Sequence, residues 1–185
     1  ELMCLKLKQQ KMLKDEIIYN LIIDGCSKKG DLATLKNIYY DMLNNSIKPT
    51  IVTFNTIIDA YIRSNDITSA WKIFEDLLKN DISPDNYILS TLFRGIRSPS
   101  HRPYLNKGME LVNKLAADPT SDKKIDIILI NVLLDSCAAM KERNIITQLF
   151  NDVVNGKFKG VEPDLITYNT FIKGCAQMKL YDELL

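Results

Sequence analysis

The chain has one histidine and four cysteines, Cys4, Cys26, Cys137 and Cys175, and none of the cysteines forms a CxxC pair. A tetrahedral zinc site draws on closely spaced Cys and His ligands, which this spacing does not offer. Four cysteines in 185 residues are also too sparse for a disulfide framework. No apolar run reaches the roughly 18 residues that read as a membrane span. Residues 1–15 alternate lysine with apolar residues and lack the apolar core and small-residue cleavage site of a signal peptide. A strong charge of one sign is missing too: the formal net charge is +1, so charge alone does not point to nucleic acid. A Gly-rich phosphate loop and clustered carboxylates are absent, so residues 1–185 offer no catalytic constellation. The expectations are no enzyme activity, no cofactor, no metal, no membrane and no small-molecule substrate. The first residue is Glu1 rather than Met. The chain is therefore expected to be a piece of a longer protein, with any targeting peptide upstream.

What is present is repetition. EIIYNLIIDGCSKKGD from Glu16, IVTFNTIIDAYIRSND from Ile51 and LITYNTFIKGCAQMKL from Leu165 align by eye. Weaker copies begin at Asn86 and Ile127. The expected organisation is one continuous solenoid. Its parts are 1–15 (the end of a preceding repeat), 16–50, 51–85, 86–126 with insertions, 127–164, and a partial fifth repeat at 165–185.

Each repeat splits into two helical patterns. Phe54, Ile57, Ile58 and Tyr61 recur on one helix face. Asn65-Asp66 breaks that pattern, and Asp66 can cap the next helix. Ala70, Ile73, Phe74, Leu77 and Leu78 then repeat the spacing until Pro84 stops it. Helices of roughly 12 residues are unstable alone, so neighbouring pairs must stack. The fold class expected is all-α, a solenoid of helix-turn-helix repeats. The periodicity does not set its hand. Arg97-Ser-Pro-Ser-His-Arg-Pro103 interrupts the third repeat with two prolines, which are expected to forbid helix there. It reads as a surface insertion, or as a site for a partner protein or a phosphate.

Tetratricopeptide repeats are close in period but carry Trp, Leu-Gly and Tyr in the first helix. Here the one tryptophan, Trp71, falls in a second helix. VTFNTIIDAYIRSNDITSAWKIFEDLLKNDISPD (52–85) and LITYNTFIKGC (165–175) instead resemble pentatricopeptide repeats. The marks are the aromatic-Asn-Thr run, the small Ala70 with Phe74 four residues on, and the closing Pro-Asp. The resemblance implies a right-handed α-α superhelix. It also implies sequence-specific binding of single-stranded RNA in mitochondria, or alternatively plastids, at about one base per repeat.

Counted from each repeat's first residue, the fifth position holds Asn20, Asn55, Ser90, Asn131 and Asn169. The last position holds Thr50, Asp85, Asp126 and Asp164. The resemblance gives these two positions base selection, Asn with Asp favouring uracil and Ser with Asp favouring guanine. Repeats two to four would read U-G-U, and Asn20 with Thr50 would take a pyrimidine with poor discrimination. Both positions also suit a helix's first turn or cap. The second position, Ile17, Val52, Tyr87, Ile128 and Ile166, would sandwich bases or simply pack between repeats. Lys28 and Arg63 at the thirteenth position would meet phosphate, where later repeats carry Ser98, Ala139 and Gln177. Cys26, Cys137 and Cys175 share the eleventh position, which suits a small buried filler. An alternative role is a structural or assembly subunit of an organellar ribonucleoprotein, such as a mitochondrial ribosome, held by protein or folded-RNA contacts. The near-neutral charge favours it.

Overall fold

A computed structural model describes residues 15–117 and 125–180. The expected second helix within 1–15 and the end of the fifth repeat fall largely outside those residues. Among the described residues the chain is all-α, a series of helix-turn-helix pairs. It forms two compact bodies, residues 1–84 and 85–185.

The N-terminal body holds α1 (Glu16–Lys29), α2 (Leu32–Asn44), α3 (Ile51–Arg63) and α4 (Ile67–Lys79). Short polar residues start each helix. Asp15 accepts from the Ile17 N–H, Asp31 from the Thr34 N–H at 3.0 Å and Asp66 from the Ser69 N–H at 2.9 Å. Each such cap is worth about 1 kcal/mol. Gly30 closes α1 in the left-handed region at φ 72°, which glycine adopts without a Cβ penalty. Asn65 makes the turn after α3 at φ 59°, so the break expected at Asn65-Asp66 is real.

The core of this body is the apolar face that the spacing marked. Phe54, Ile57 and Ile58 of α3 and Ala70, Phe74 and Leu77 of α4 are buried, with Tyr19, Ile23, Leu35, Tyr39 and Met42 from α1 and α2. Burying each large apolar side chain contributes about 1.5–3 kcal/mol. Leu78 departs from the expected stripe and is 41% exposed. The first helices α1 and α3 pack side by side, and each second helix packs on its own first helix.

The C-terminal body holds α5 (Asn86–Arg94), a short 3-10 turn (Pro99–His101), α6 (Arg102–Ala117), α7 (Ile127–Met140), α8 (Arg143–Val154) and α9 (Leu165–Met178). The layering recurs: α7 lies between α5 and α9, while α8 packs on α7 and α9. The segment 97–103 corrects the expectation that its prolines forbid helix. Pro99 opens the 3-10 turn, and Pro103 stands in the first turn of α6. There its missing N–H would have had no intrahelical partner anyway. Close approach fixes Gly108 in α6, where a Cβ would lie 2.4 Å from the buried Phe93 ring of α5. No described helix is long and apolar enough to cross a membrane.

Candidate functional site

Packing would bury an apolar side chain, yet the second-position residues are open. Ile17, Val52, Tyr87, Ile128 and Ile166 are 72%, 56%, 56%, 64% and 61% exposed. Each stands in the first turn of a first helix, beside cores that exclude water from neighbouring positions. Packing between repeats therefore does not account for them in these bodies.

On the same first helices lie the amide residues. Asn131 and Asp164 are 33 residues apart in sequence, and the stacking of α7 on α9 brings them together. Asn131 Nδ2 donates to Asp164 Oδ1 at 3.2 Å. The Asp164 carboxylate also accepts the Thr167 N–H at 2.8 Å and caps α9. Hydrogen bonds from Thr167's backbone and hydroxyl, joined by Asn131's amide and the Ile166 N–H, hold Asp164 below the usual carboxylate range. A carboxylate only accepts, so the Asn131 NH2 group is turned toward it.

The opposite edge of the amide is fixed by Thr167, a residue that sequence reasoning missed. It is completely buried. Its hydroxyl lies 2.7 Å from Asn131 Oδ1 and 2.8 Å from Asp164 Oδ1, and it accepts the Asp164 N–H at 3.1 Å. Asn131 thus keeps one amide N–H to donate.

Asn20 repeats this arrangement in the N-terminal body. The buried Thr53 donates its hydroxyl to Asn20 Oδ1 at 2.6 Å and accepts the Thr50 N–H at 3.1 Å. Asn20 and Thr50 meet through Glu16, whose Oε1 accepts from Asn20 Nδ2 at 3.0 Å and from the Thr50 hydroxyl at 2.8 Å. A signal for the threonines was legible: Thr53 and Thr167 each precede an aromatic-Asn pair, at the third position of their repeats. Ile18, Ile88 and Leu129 take that position elsewhere, so the device belongs to some repeats and not others.

The remaining selection residues are less connected. Asp85 and Asp126 cap α5 and α7 through the Ile88 and Leu129 N–H groups, both at 2.8 Å. Among the described residues no hydrogen bond joins Ser90 to Asp126. Asn55 is half-buried, and its Oδ1 is buried without a hydrogen-bond partner. Asn169 is exposed on α9.

The two basic residues behave differently. Lys28 is 73% exposed at its side chain and pairs with Asp24 at 2.6 Å. Arg63 is half-exposed but engaged, donating to Ser27 Oγ at 2.6 Å and pairing with Asp59 at 2.9 Å. At the eleventh position Cys137 and Cys175 are buried, while Cys26 is only half-buried. Burial, with a smaller push from Glu142, raises the Cys137 thiol to about 12. Among the described residues no cluster of three or more metal-ligating side chains occurs.

Comparison with known proteins identifies the frame that holds these residues. The model of the PPR repeat family matches residues 14–57 and 49–97, and that of the pentatricopeptide repeat domain matches 115–179. The pentatricopeptide repeat protein PPR10 from maize superimposes with TM-score 0.71 at 15% identity, over 96% of this chain and 24% of that one. Nuclear proteinaceous RNase P 2 from A. thaliana gives TM-score 0.69 at 16% identity, over 92% of this chain and 37% of that one. The PPR domain of Arabidopsis thaliana protein-only RNase P 1, solved in complex with tRNA, gives TM-score 0.65 at 14% identity, over 91% of this chain and 84% of that one. This chain therefore spans about a quarter of the length of PPR10. No curated protein sequence gives a significant match.

Proposed function

The chain belongs to the pentatricopeptide repeat family, and from that premise we propose that it binds single-stranded RNA by sequence, one base per repeat, in mitochondrial or plastid RNA metabolism. The repeats would run 16–50, 51–85, 86–126, 127–164 and from 165 onward. The observation that carries this reading is that exposed apolar residues accompany amides of fixed orientation, Ile17 with Asn20 in one body and Ile128 with Asn131 in the other. Ile128 offers its side chain to a base's face, and Asn131 with Asp164 offers a donor and an acceptor to its edge. Stacking on such a surface is tolerant of sequence, whereas the edge contacts discriminate. Two of the similar structures were solved with RNA: PPR10 with an 18-nt psaJ RNA element, and the PPR domain of RNase P 1 with tRNA. The chain's own role would be recognition, not catalysis.

A second reading, as a structural subunit of an organellar ribonucleoprotein, draws on the net charge of +1 and on the engagement of Arg63 within the fold. Phosphate neutralisation supplies much of nucleic-acid affinity, and at the thirteenth position only Lys28 and Arg63 are basic. Selection from a random single-stranded RNA pool separates the two. Under the lead reading the chain enriches U/G-containing sequences, and Asn55→Thr moves one selected base from U toward G. Absence of any enrichment, with co-purification in a large ribonucleoprotein, would instead support the subunit role.

A further inference from the structure

Resting on the reading above, we infer that Glu16 supplies the base-selecting carboxylate that Thr50 lacks, which makes the first repeat a reader of uracil over cytosine. In the 127–164 repeat the closing residue is Asp164, and its Oδ1 takes Asn131 Nδ2 at 3.2 Å. The 16–50 repeat closes on Thr50, which has no carboxylate. Glu16 fills that place from the opposite end of the repeat. Its Oε1 stands 3.0 Å from Asn20 Nδ2 and 2.8 Å from the Thr50 hydroxyl, both of which donate to it. The other repeats begin with Ile51, Asn86, Ile127 and Leu165, so none has a carboxylate at that position.

The chemistry left facing outward follows from counting donors and acceptors. Thr53's hydroxyl occupies Asn20 Oδ1 at 2.6 Å, and one amide N–H is spent on Glu16. The second amide N–H is left to donate. Both of these Glu16 bonds fall on Oε1, so Oε2 is left to accept. A donor beside an acceptor matches the uracil edge, with its O4 carbonyl and N3–H. Cytosine has a lone pair at N3 and an amino group at N4, so its N3 would face the carboxylate. Ile17, 72% exposed on the next residue, offers apolar surface to the ring.

The test is selection from a fully randomised single-stranded RNA pool with the 185-residue chain and three variants. Glu16→Gln keeps an oxygen for Asn20 and Thr50 but turns the outward acceptor into an amino donor. The expected result is loss of the preference for U over C at one position, by about tenfold in relative affinity. Glu16→Ala should lose the discrimination there. Glu16→Ala with Thr50→Asp should regain uracil, a rescue that a purely structural role for Glu16 would not give. The base read by Asn131 in the C-terminal body should stay unchanged throughout, and an unchanged circular dichroism melt reports that the mutated N-terminal body is folded. If the wild-type chain binds no single-stranded RNA, the function and this inference both fall. If it selects a base through Asn131 while Glu16→Gln leaves every position unchanged, this inference alone is overturned.

Discussion

Thr167→Val removes one oxygen from the centre of the candidate site and little else in volume. Thr167 is completely buried, and its hydroxyl serves Asn131 Oδ1 at 2.7 Å while accepting the Asp164 N–H at 3.1 Å. Leaving a buried polar group unpartnered costs about 1–3 kcal/mol. The Asp164 carboxylate still accepts the Thr167 N–H at 2.8 Å, so the helix cap survives. Asp164 and Asn131 are only half-buried, so water can serve part of what is lost. The expected loss is therefore about 1–2 kcal/mol, at the lower end of that range. For a chain of this size that is a fall in Tm of about 2–8 °C, read by circular dichroism. The amide of Asn131 also loses the donor that fixes its oxygen, so base preference at that one position should flatten. Thr167→Ser keeps the hydroxyl and should keep the preference. A valine variant as stable as wild type, with the same preference, would refute the reasoning.

Two of the helix-interior glycines, Gly25 and Gly108, should respond to alanine with opposite signs. Gly25→Ala meets nothing within 4 Å and should gain about 0.5–1 kcal/mol from helix propensity. Gly108→Ala puts a Cβ 2.4 Å from the Phe93 ring and should lose about 1–3 kcal/mol, both measured by urea denaturation. Cys137, its thiol raised to about 12 by burial, should resist alkylation at pH 8 in the native chain and react on unfolding, as peptide mass spectrometry would show. Rapid native labelling would mean the eleventh position opens. Salt dependence should separate Lys28 from Arg63. Lys28→Ala should lower the slope of log affinity against log salt by about 1. Arg63→Ala should mainly lower Tm, because it breaks the Ser27 and Asp59 contacts.

The helices were legible because their cues are local. Apolar positions recurring three and four residues apart, Asp66 as a cap and Asn65 as a break are set by residues within a turn of one another. Pro103 misled for a related reason: proline forbids a helix interior but not its first turn, and only the position of the helix start decides which applies. The amide and carboxylate positions were legible as a register. Their couplings were not, because Asn131 to Asp164 and Asn20 to Thr53 each span 33 residues and depend on neighbouring first helices packing together. Glu16 was hidden most thoroughly, since a glutamate at a helix start already has an ordinary explanation in the helix dipole. Exposure also had to come from the structure: Ile17, whose position suited either sandwiching a base or packing between repeats, is 72% exposed here.

The central claim is that the exposed second-position residues and the Asn-Asp edge together read unpaired bases. It is tested most directly by comparing affinities for one short RNA carrying U-G-U, the same strand in a duplex, and a strand carrying A-C-A, at fixed salt. The account predicts tightest binding to single-stranded U-G-U, weaker binding to A-C-A by about tenfold or more, and weak binding to the duplex. Equal affinity for all three would contradict it.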